Sequence, residues 1–174
     1  APIRLRPVFL LLASLVFTAM GDVAALPVLA VSILGNHALA LAIDNARDAG
    51  RTPRQHRLAA LGVAANILYL AKAKYLGFLA ASLPFLESSG IDPADVHGLP
   101  PLGISFFTFQ AVSYLVDVSR GQAAAEKNLL RTALYLSFFP KMIAGPIARY
   151  ATMLPGMRLP RPALSDGAAG AVRF

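Results

Sequence analysis

Two segments of the sequence are apolar enough to lie in a lipid bilayer, yet both carry groups that a bilayer accommodates poorly. They are Leu99–Gly121 (LPPLGISFFTFQAVSYLVDVSRG) and Phe138–Tyr150 (FFPKMIAGPIARY). The first contains Gln110 and Asp117, and the second contains Lys141 between two prolines. Polar groups and helix breakers at membrane depth are costly against lipid, so they usually line a cavity or a substrate path. The sequence therefore predicts a membrane protein with a polar site inside the bilayer.

The composition also favours a membrane protein. The chain has 174 residues, of which 56% are hydrophobic and 14% charged, and its mean hydropathy is +0.59. Soluble domains carry about a quarter charged residues. The lack of cysteine excludes disulfides, thiolate metal sites and cysteine nucleophiles. The net charge of +7 comes from basic residues beside apolar stretches. We attribute it to the positive-inside rule, and we expect the lipid bilayer as a partner and no nucleic acid.

The charges between the apolar stretches predict an orientation. The loop Asp44–Arg57 holds four arginines and should lie in the cytoplasm, whereas the loop Ser82–Pro101 holds only acidic charges and should lie outside. The first stretch could pass for a signal peptide, but the sequence becomes apolar again at once, so we expect a span with the amino terminus in the cytoplasm. The predicted spans are residues 7–20, 23–43, 58–79 and 102–118.

The last apolar stretch, residues 129–147, breaks the alternation of the charges. A full crossing would place Arg149 and the later arginines outside. Pro140 and Pro146 each remove a helix hydrogen bond, so the stretch should be broken or re-entrant. We predict an all-α, polytopic membrane helical bundle of about four transmembrane helices plus this segment. Residues 1–150 would form the membrane core, and residues 151–174 a cytoplasmic extension rich in proline, arginine and glycine.

The fourth span carries a polar stripe. Gln110, Ser113 and Asp117 fall within about 60° of one another on a helix of about 100° per residue. Ser113 and Thr108 favour hydrogen bonds between helices, which polar residues commonly make in membranes. For Asp117 we expect an anchor at the cytoplasmic interface, paired with Arg120 one turn later.

The three histidines lack the spacing of a metal site or a catalytic pair. We expect His56 and His97 at the surface, and His37 beside Asn36 as a packed hydrogen-bonding group. The sequence also lacks a recognisable Ser-His-Asp arrangement, a glycine-rich phosphate loop and paired catalytic carboxylates. We therefore assign no catalytic residue and no metal ligand from the sequence.

The two opening segments resemble the membrane-bound O-acyltransferase family, in its bacterial branch around the alginate O-acetyltransferase membrane subunit. The family patterns LPxGISFxxFxxxSYxxDVYRG and FFPxxIAGPIxRY match them in order, with weaker echoes at Asn36 and Lys74-Tyr75. An extra proline at Pro100-Pro101 and Ser119 in place of a usual tyrosine are departures from the pattern.

The resemblance implies acyl transfer in a bacterial inner membrane. An acyl group, expected to be acetyl, would pass from a cytoplasmic donor such as acetyl-CoA to a hydroxyl of an exported polysaccharide or cell-wall polymer. A periplasmic acetyltransferase would be a partner. The donor is a substrate, and no bound cofactor is expected.

The resemblance also implies that the family's catalytic histidine lies beyond this sequence. We therefore expect an amino-terminal fragment that is inactive alone and works with a missing carboxy-terminal half. Its residues would form scaffold and tunnel wall, namely Gly103, Ser105, Phe106, Gln110, Gly145, Pro146 and Arg149. Two alternatives remain open: half of a small transporter or flippase that uses the polar stripe and the broken helix, and a non-catalytic membrane anchor for a partner enzyme.

Overall fold

The computed structural model describes residues 6–82, 103–142 and 149–153, and every regular element in these ranges is helical. The all-α prediction is confirmed for this part of the chain. A further helical turn occupies residues 150–153. The helices are α1 (Arg6–Gly21), α2 (Ala25–Asp48), α3 (Thr52–Ser82), α4 (Ile104–Ser119), α5 (Leu129–Ser137) and α6 (Phe139–Met142).

The first four helices fall on the four predicted spans. Among the described helices, only α2 is both long and apolar enough to cross a bilayer. Helices α1 and α4 are apolar but have 16 residues each. Helix α3 has 31 residues, a length of about 46 Å, but it carries arginines in its first two turns and two lysines, Lys72 and Lys74, further along. The structure therefore supports a membrane helix without fixing the number of crossings.

The predicted loop Asp44–Arg57 is wrong in its extent, because helix α2 continues to Asp48 and α3 begins at Thr52. The turn between them is closed by Gly50, whose φ of 68° lies in the left-handed region that favours glycine. Backbone bonds from Gly50 N to Arg47 O and from Arg51 N to Ala46 O complete the helix end. The short turn places the carboxyl end of α2 beside the amino end of α3.

Helices α2, α3 and α4 pack together as a bundle, and α1 packs against α5 and α2. Gly62 allows α3 to approach its two neighbours closely. A Cβ atom at this position would lie 2.6 Å from Leu115 Cδ1 on α4 and 3.1 Å from Leu39 Cδ1 on α2. The core between the helices is built from large buried side chains, which include Leu29, Ile43, Phe107, Leu115 and Val118.

The last apolar stretch is interrupted at Phe138, where α5 ends and α6 begins. Phe138 has φ −58° and ψ 102°, outside the helical region, and Pro140 follows in the first turn of α6, where its missing N–H is tolerated. Asn128 caps the other end of α5, since its Oδ1 accepts a bond from Leu130 N at 2.9 Å. Gly145 and Pro146 lie outside the described residues, as does the predicted return to the cytoplasmic side.

Candidate functional site

The first motif contains helix α4. The N-cap residue of this helix is Gly103, whose backbone lies in the left-handed region. Gly103 has φ 73°, and its carbonyl accepts bonds from Phe106 N and Phe107 N at 2.9 and 3.0 Å. Because side chains disfavour this region, glycine suits the entry to the helix. The predicted tunnel residues Ser105 and Phe106 follow directly and are half-buried.

The last residue of the second motif packs against the middle of α4. The ring of Tyr150 lies edge-on to that of Tyr114, with centroids 4.5 Å apart, and edge-on to that of Tyr135 on α5 at 5.0 Å. All three side chains are at most 1% exposed. Edge-to-face aromatic pairs contribute beyond their burial alone. The fold therefore joins the two motifs through one aromatic cluster, formed by Tyr114, Tyr135 and Tyr150.

Asp117, in the same motif, also contacts the end of the second motif. Its side chain is 3% exposed, and Oδ2 accepts a bond from Ala151 N at 3.2 Å. The predicted pair with Arg120 does not form, because the carboxylate points into the protein while the Arg120 side chain is exposed. The backbone amide provides the compensating dipole that a buried carboxylate needs.

Gln110 ties α4 to the broken end of α5. Its side chain is fully buried, and the amide orientation that suits the surroundings lets the nitrogen donate to Tyr135 O at 3.0 Å and Leu136 O at 3.1 Å. These carbonyls belong to the last turn of α5, where intrahelical partners end. The amide nitrogen of this predicted tunnel residue is thus engaged in holding two helices together.

The described tunnel candidates do not form one cluster. Gly103, Ser105 and Phe106 lie at the start of α4, whereas Arg149 lies next to the turn held by Asp117, near the end of α4. Twelve helical residues separate Ser105 from Asp117, which is about 18 Å along the axis. Gly145 and Pro146 lie outside the described residues. Their tunnel role stays a prediction for all seven positions.

A cavity of about 460 Å³ opens between α2, α3 and α4. Its wall is apolar apart from a few side chains, among them Asn36, Asn66 and Thr108. The two asparagines bond reciprocally, with Asn66 Nδ2 to Asn36 Oδ1 at 2.8 Å and Asn36 Nδ2 to Asn66 Oδ1 at 3.3 Å. Sequence reasoning singled out Asn36 and missed Asn66. The signal was available, because Asn66 is an amide within an apolar stretch.

His37 is a hydrogen-bonding residue, but its partner is not the neighbouring Asn36 with which a packed pair was expected. Its Nδ1 lies 3.0 Å from Thr132 Oγ1 on α5. On the same side of the bundle, the Tyr114 hydroxyl accepts a bond from Glu126 N at 3.0 Å. His56 is exposed, as expected, and His97 lies outside the described residues. In the part of the chain that is described, no three acidic, histidine or cysteine side chains form a group suited to a metal ion.

The carboxyl end of α4 is fixed by side chains from two other helices. Arg47 Nη1 donates to Val118 O at 3.1 Å, and Gln55 Nε2 donates to Ser119 O. Arg47 is itself paired with Asp44, whose Oδ2 accepts from Ala125 N at 3.1 Å. These bonds add side-chain donors to carbonyls at the helix end, where Val118 O also accepts a bond from Gly121 N at 3.1 Å. The backbone that carries Asp117 is therefore anchored to α2 and α3.

Known proteins resemble this chain across both motifs. No family profile matches it, and no solved structure matches it. A protein of Azotobacter vinelandii named probable alginate O-acetylase AlgI is 35% identical over 176 residues, covering 100% of this chain and 35% of the relative. The Pseudomonas aeruginosa protein of the same name is 35% identical over 173 residues, covering 98% of this chain and 33% of the relative.

A further relative is named for a different polymer, peptidoglycan. The peptidoglycan O-acetyltransferase of Helicobacter pylori is 30% identical over 171 residues, covering 84% of this chain and 32% of the relative. The chain thus spans about a third of the length of these curated relatives. The relatives, together with the apolar helix α2, support a location in a membrane. Along most or all of its length this chain is similar to about a third of each of these O-acetyltransferases, which confirms the resemblance seen in its two motifs.

Proposed function

We propose that this chain forms part of an integral-membrane O-acetyltransferase. The enzyme would move an acetyl group from a cytoplasmic donor, acetyl-CoA or an acyl carrier, to a hydroxyl of an exported polysaccharide or cell-wall polymer. The observation that carries this proposal is the similarity to alginate O-acetylases along the whole chain, including both motifs. The contact between Tyr114 and Tyr150 supports it, because it packs the two motifs against each other in the fold.

Within that enzyme, this segment would supply scaffold and tunnel wall. Gly103, Ser105 and Phe106 would line one end of α4, and Gly145, Pro146 and Arg149 would belong to the other motif. The base that activates the acceptor hydroxyl would come from elsewhere, since His37 is bonded to Thr132 and His56 lies exposed near the start of α3. The segment by itself should then be inactive.

The proposed membrane arrangement has four crossings followed by a re-entrant segment, with the amino terminus in the cytoplasm of a bacterium. The exposed arginines Arg51, Arg54, Arg57 and Arg120 support this orientation. They lie in the turn after α2, at the start of α3 and at the end of α4. These three places are at the same end of the bundle, because Gln55 on α3 bonds to Ser119 on α4. Residues 1–150 would be the membrane core in the inner membrane, and residues 151–174 a cytoplasmic extension. The remaining partners would be the rest of the protein and a periplasmic acetyltransferase.

The proposal is tested with the natural gene product in its own membranes. Radiolabelled acetyl-CoA is supplied on the cytoplasmic side, and label is counted in the exported polymer. Gly145→Leu should abolish transfer while the protein still inserts, because a bulky side chain would block close approach at that position. Gly35→Ala is the control, since a Cβ atom there has nothing within 4 Å. Unchanged turnover in Gly145→Leu would remove that residue from the tunnel.

A further inference from the structure

We propose that Asp117 is a positioning residue that holds Arg149 in place to bind an anionic group of the acyl donor. This inference rests on the proposed function, because it assigns a task to Arg149 in the same enzyme. Its structural basis is a hydrogen bond by which the first motif holds the turn that follows the second, from Ala151 N to Asp117 Oδ2 at 3.2 Å.

Asp117 is attached to a rigid backbone. Its own carbonyl accepts bonds from Gln122 N at 2.9 Å and Ala123 N at 3.4 Å, around a turn in which Gly121 has φ 70°. The next two carbonyls are held by Arg47 and Gln55. The carboxylate therefore has a fixed position from which to hold another segment.

Arg149 stands at the start of the segment that Asp117 holds. Its carbonyl accepts bonds from Thr152 N and Met153 N, both at 3.1 Å, so Arg149 is the N-cap residue of the turn at residues 150–153. Asp117 binds an N–H in the first turn, two residues after Arg149. Between them, Tyr150 is packed in the aromatic cluster. The backbone of Arg149 is thus fixed by its own turn, by a carboxylate and by a buried ring.

The side chain of Arg149, in contrast, is exposed, and none of the ion pairs among the described residues includes it. A guanidinium presents five donors in a planar fork that matches phosphate and carboxylate groups. Arg149 lies at the end of the bundle that carries Arg120 and the arginines of α3, which the proposed orientation places in the cytoplasm. The anion that reaches this end is the phosphate-bearing part of the donor.

A mutant cycle on the natural protein in its membranes tests the coupling. Arg149→Ala should raise the KM for acetyl-CoA about tenfold with little change in kcat, because it removes a charge-assisted contact to the donor. Asp117→Ala should raise the same KM similarly, and the double variant should be no worse than either single variant. Ala151→Pro removes the other partner of the bond, in the first helical turn where no intrahelical N–H bond is lost, and should reproduce the effect of Asp117→Ala.

The matched control is Asp22→Ala. Asp22 Oδ1 accepts a bond from Ala24 N at 2.9 Å, the same kind of contact at the turn between α1 and α2. Its removal should leave the KM unchanged. Multiplicative effects in the Asp117/Arg149 double variant, or an unchanged KM in Asp117→Ala, would overturn the proposal.

A second readout does not depend on activity. Spin labels are placed at Lys127→Cys and Thr152→Cys, both exposed positions, after any cysteine elsewhere in the natural protein has been replaced. The distance distribution between the labels should be narrow in the parent protein, broad in Asp117→Ala and Ala151→Pro, and narrow in Asp22→Ala. A narrow distribution in Asp117→Ala would refute the positioning role. A distribution that broadens in Asp117→Ala, while the parent protein shows no acetyl transfer, would support the positioning role of Asp117 and refute the proposed function.

Discussion

Tyr114 and Tyr150 lie edge to face with their ring centroids 4.5 Å apart, and each belongs to a different one of the two motifs that set this sequence apart. The two rings share their contact with Tyr135, so α4, α5 and the turn after the second motif meet at one buried point. The neighbouring bond from Ala151 N to Asp117 adds a polar contact between the same segments. The two motifs therefore form one packed unit in the fold.

Truncation of this aromatic cluster should be strongly destabilising. Tyr150→Ala should lower the free energy of unfolding by about 3–5 kcal/mol, since it leaves a large cavity among buried rings. Tyr75→Ala is the control, because that side chain is 51% exposed. Denaturant unfolding of the purified protein in detergent measures both changes. Equal losses in the two variants would argue against the cluster as a stabilising centre.

The paired amides of α2 and α3 should behave as a unit. Asn36→Leu alone should cost about 1–3 kcal/mol, because Asn66 Oδ1 loses its donor in an apolar wall while Asn66 Nδ2 keeps its bond to Gly62 O. The double variant Asn36→Leu/Asn66→Leu should recover part of that loss, since no buried amide is left without its partner. The comparison is made by unfolding the three proteins in the same detergent. A double variant as unstable as the sum of the single variants would contradict the pairing.

Gly62 should be far less tolerant of a side chain than Gly35. Gly62→Ala should destabilise by about 1–3 kcal/mol, because the new Cβ atom would meet Leu115 Cδ1 at 2.6 Å and α3 and α4 would have to separate. Gly35→Ala should stabilise slightly, by about 0.5–1 kcal/mol, since it adds helix propensity in open space. Thermal unfolding measures the two changes. Opposite signs are expected, and the same sign would contradict the close packing at Gly62.

Removal of the Gln110 amide should weaken the junction between α4 and α5. Gln110→Leu keeps the side-chain bulk but leaves the carbonyls of Tyr135 and Leu136 without their donor, at a cost of about 1–3 kcal/mol. Ser105→Ala, which changes a half-buried position at the start of the same helix, is the control. Hydrogen exchange on α5 should accelerate in Gln110→Leu alone. Unchanged exchange would show that the amide makes a different contact.

The sequence predicted the positions of the helices better than the contacts between them. Apolar stretches and turn residues located α1 to α4, since hydropathy along a chain is a local property. The extent of the loop after Asp44 was wrong, because the ion pair between Asp44 and Arg47 and the turn at Gly50 extend α2 into a charged region. Spacing on one helix predicted Arg120 as the partner of Asp117, but the actual partner is a backbone amide brought close by tertiary packing.

The candidate site was predictable only in its residue types. Local pattern placed Gln110 in a polar stripe of α4, but its contact with two carbonyls of α5 depends on the break at Phe138. The amide pair between Asn36 and Asn66 depends on how α2 crosses α3, which no local spacing encodes. The two motifs indicated acyl transfer by resemblance, whereas their physical contact emerged only from the fold.

The most direct test of the account is acetyl transfer by the natural protein. Membranes are prepared from cells that carry the gene, from cells that lack it and from the latter with the gene restored. Radiolabelled acetyl-CoA is added, and the base-labile label in the exported polymer is counted. The account predicts transfer in the first and third preparations and its loss in the second. Equal labelling in all three would contradict the assignment of this chain to an O-acetyltransferase.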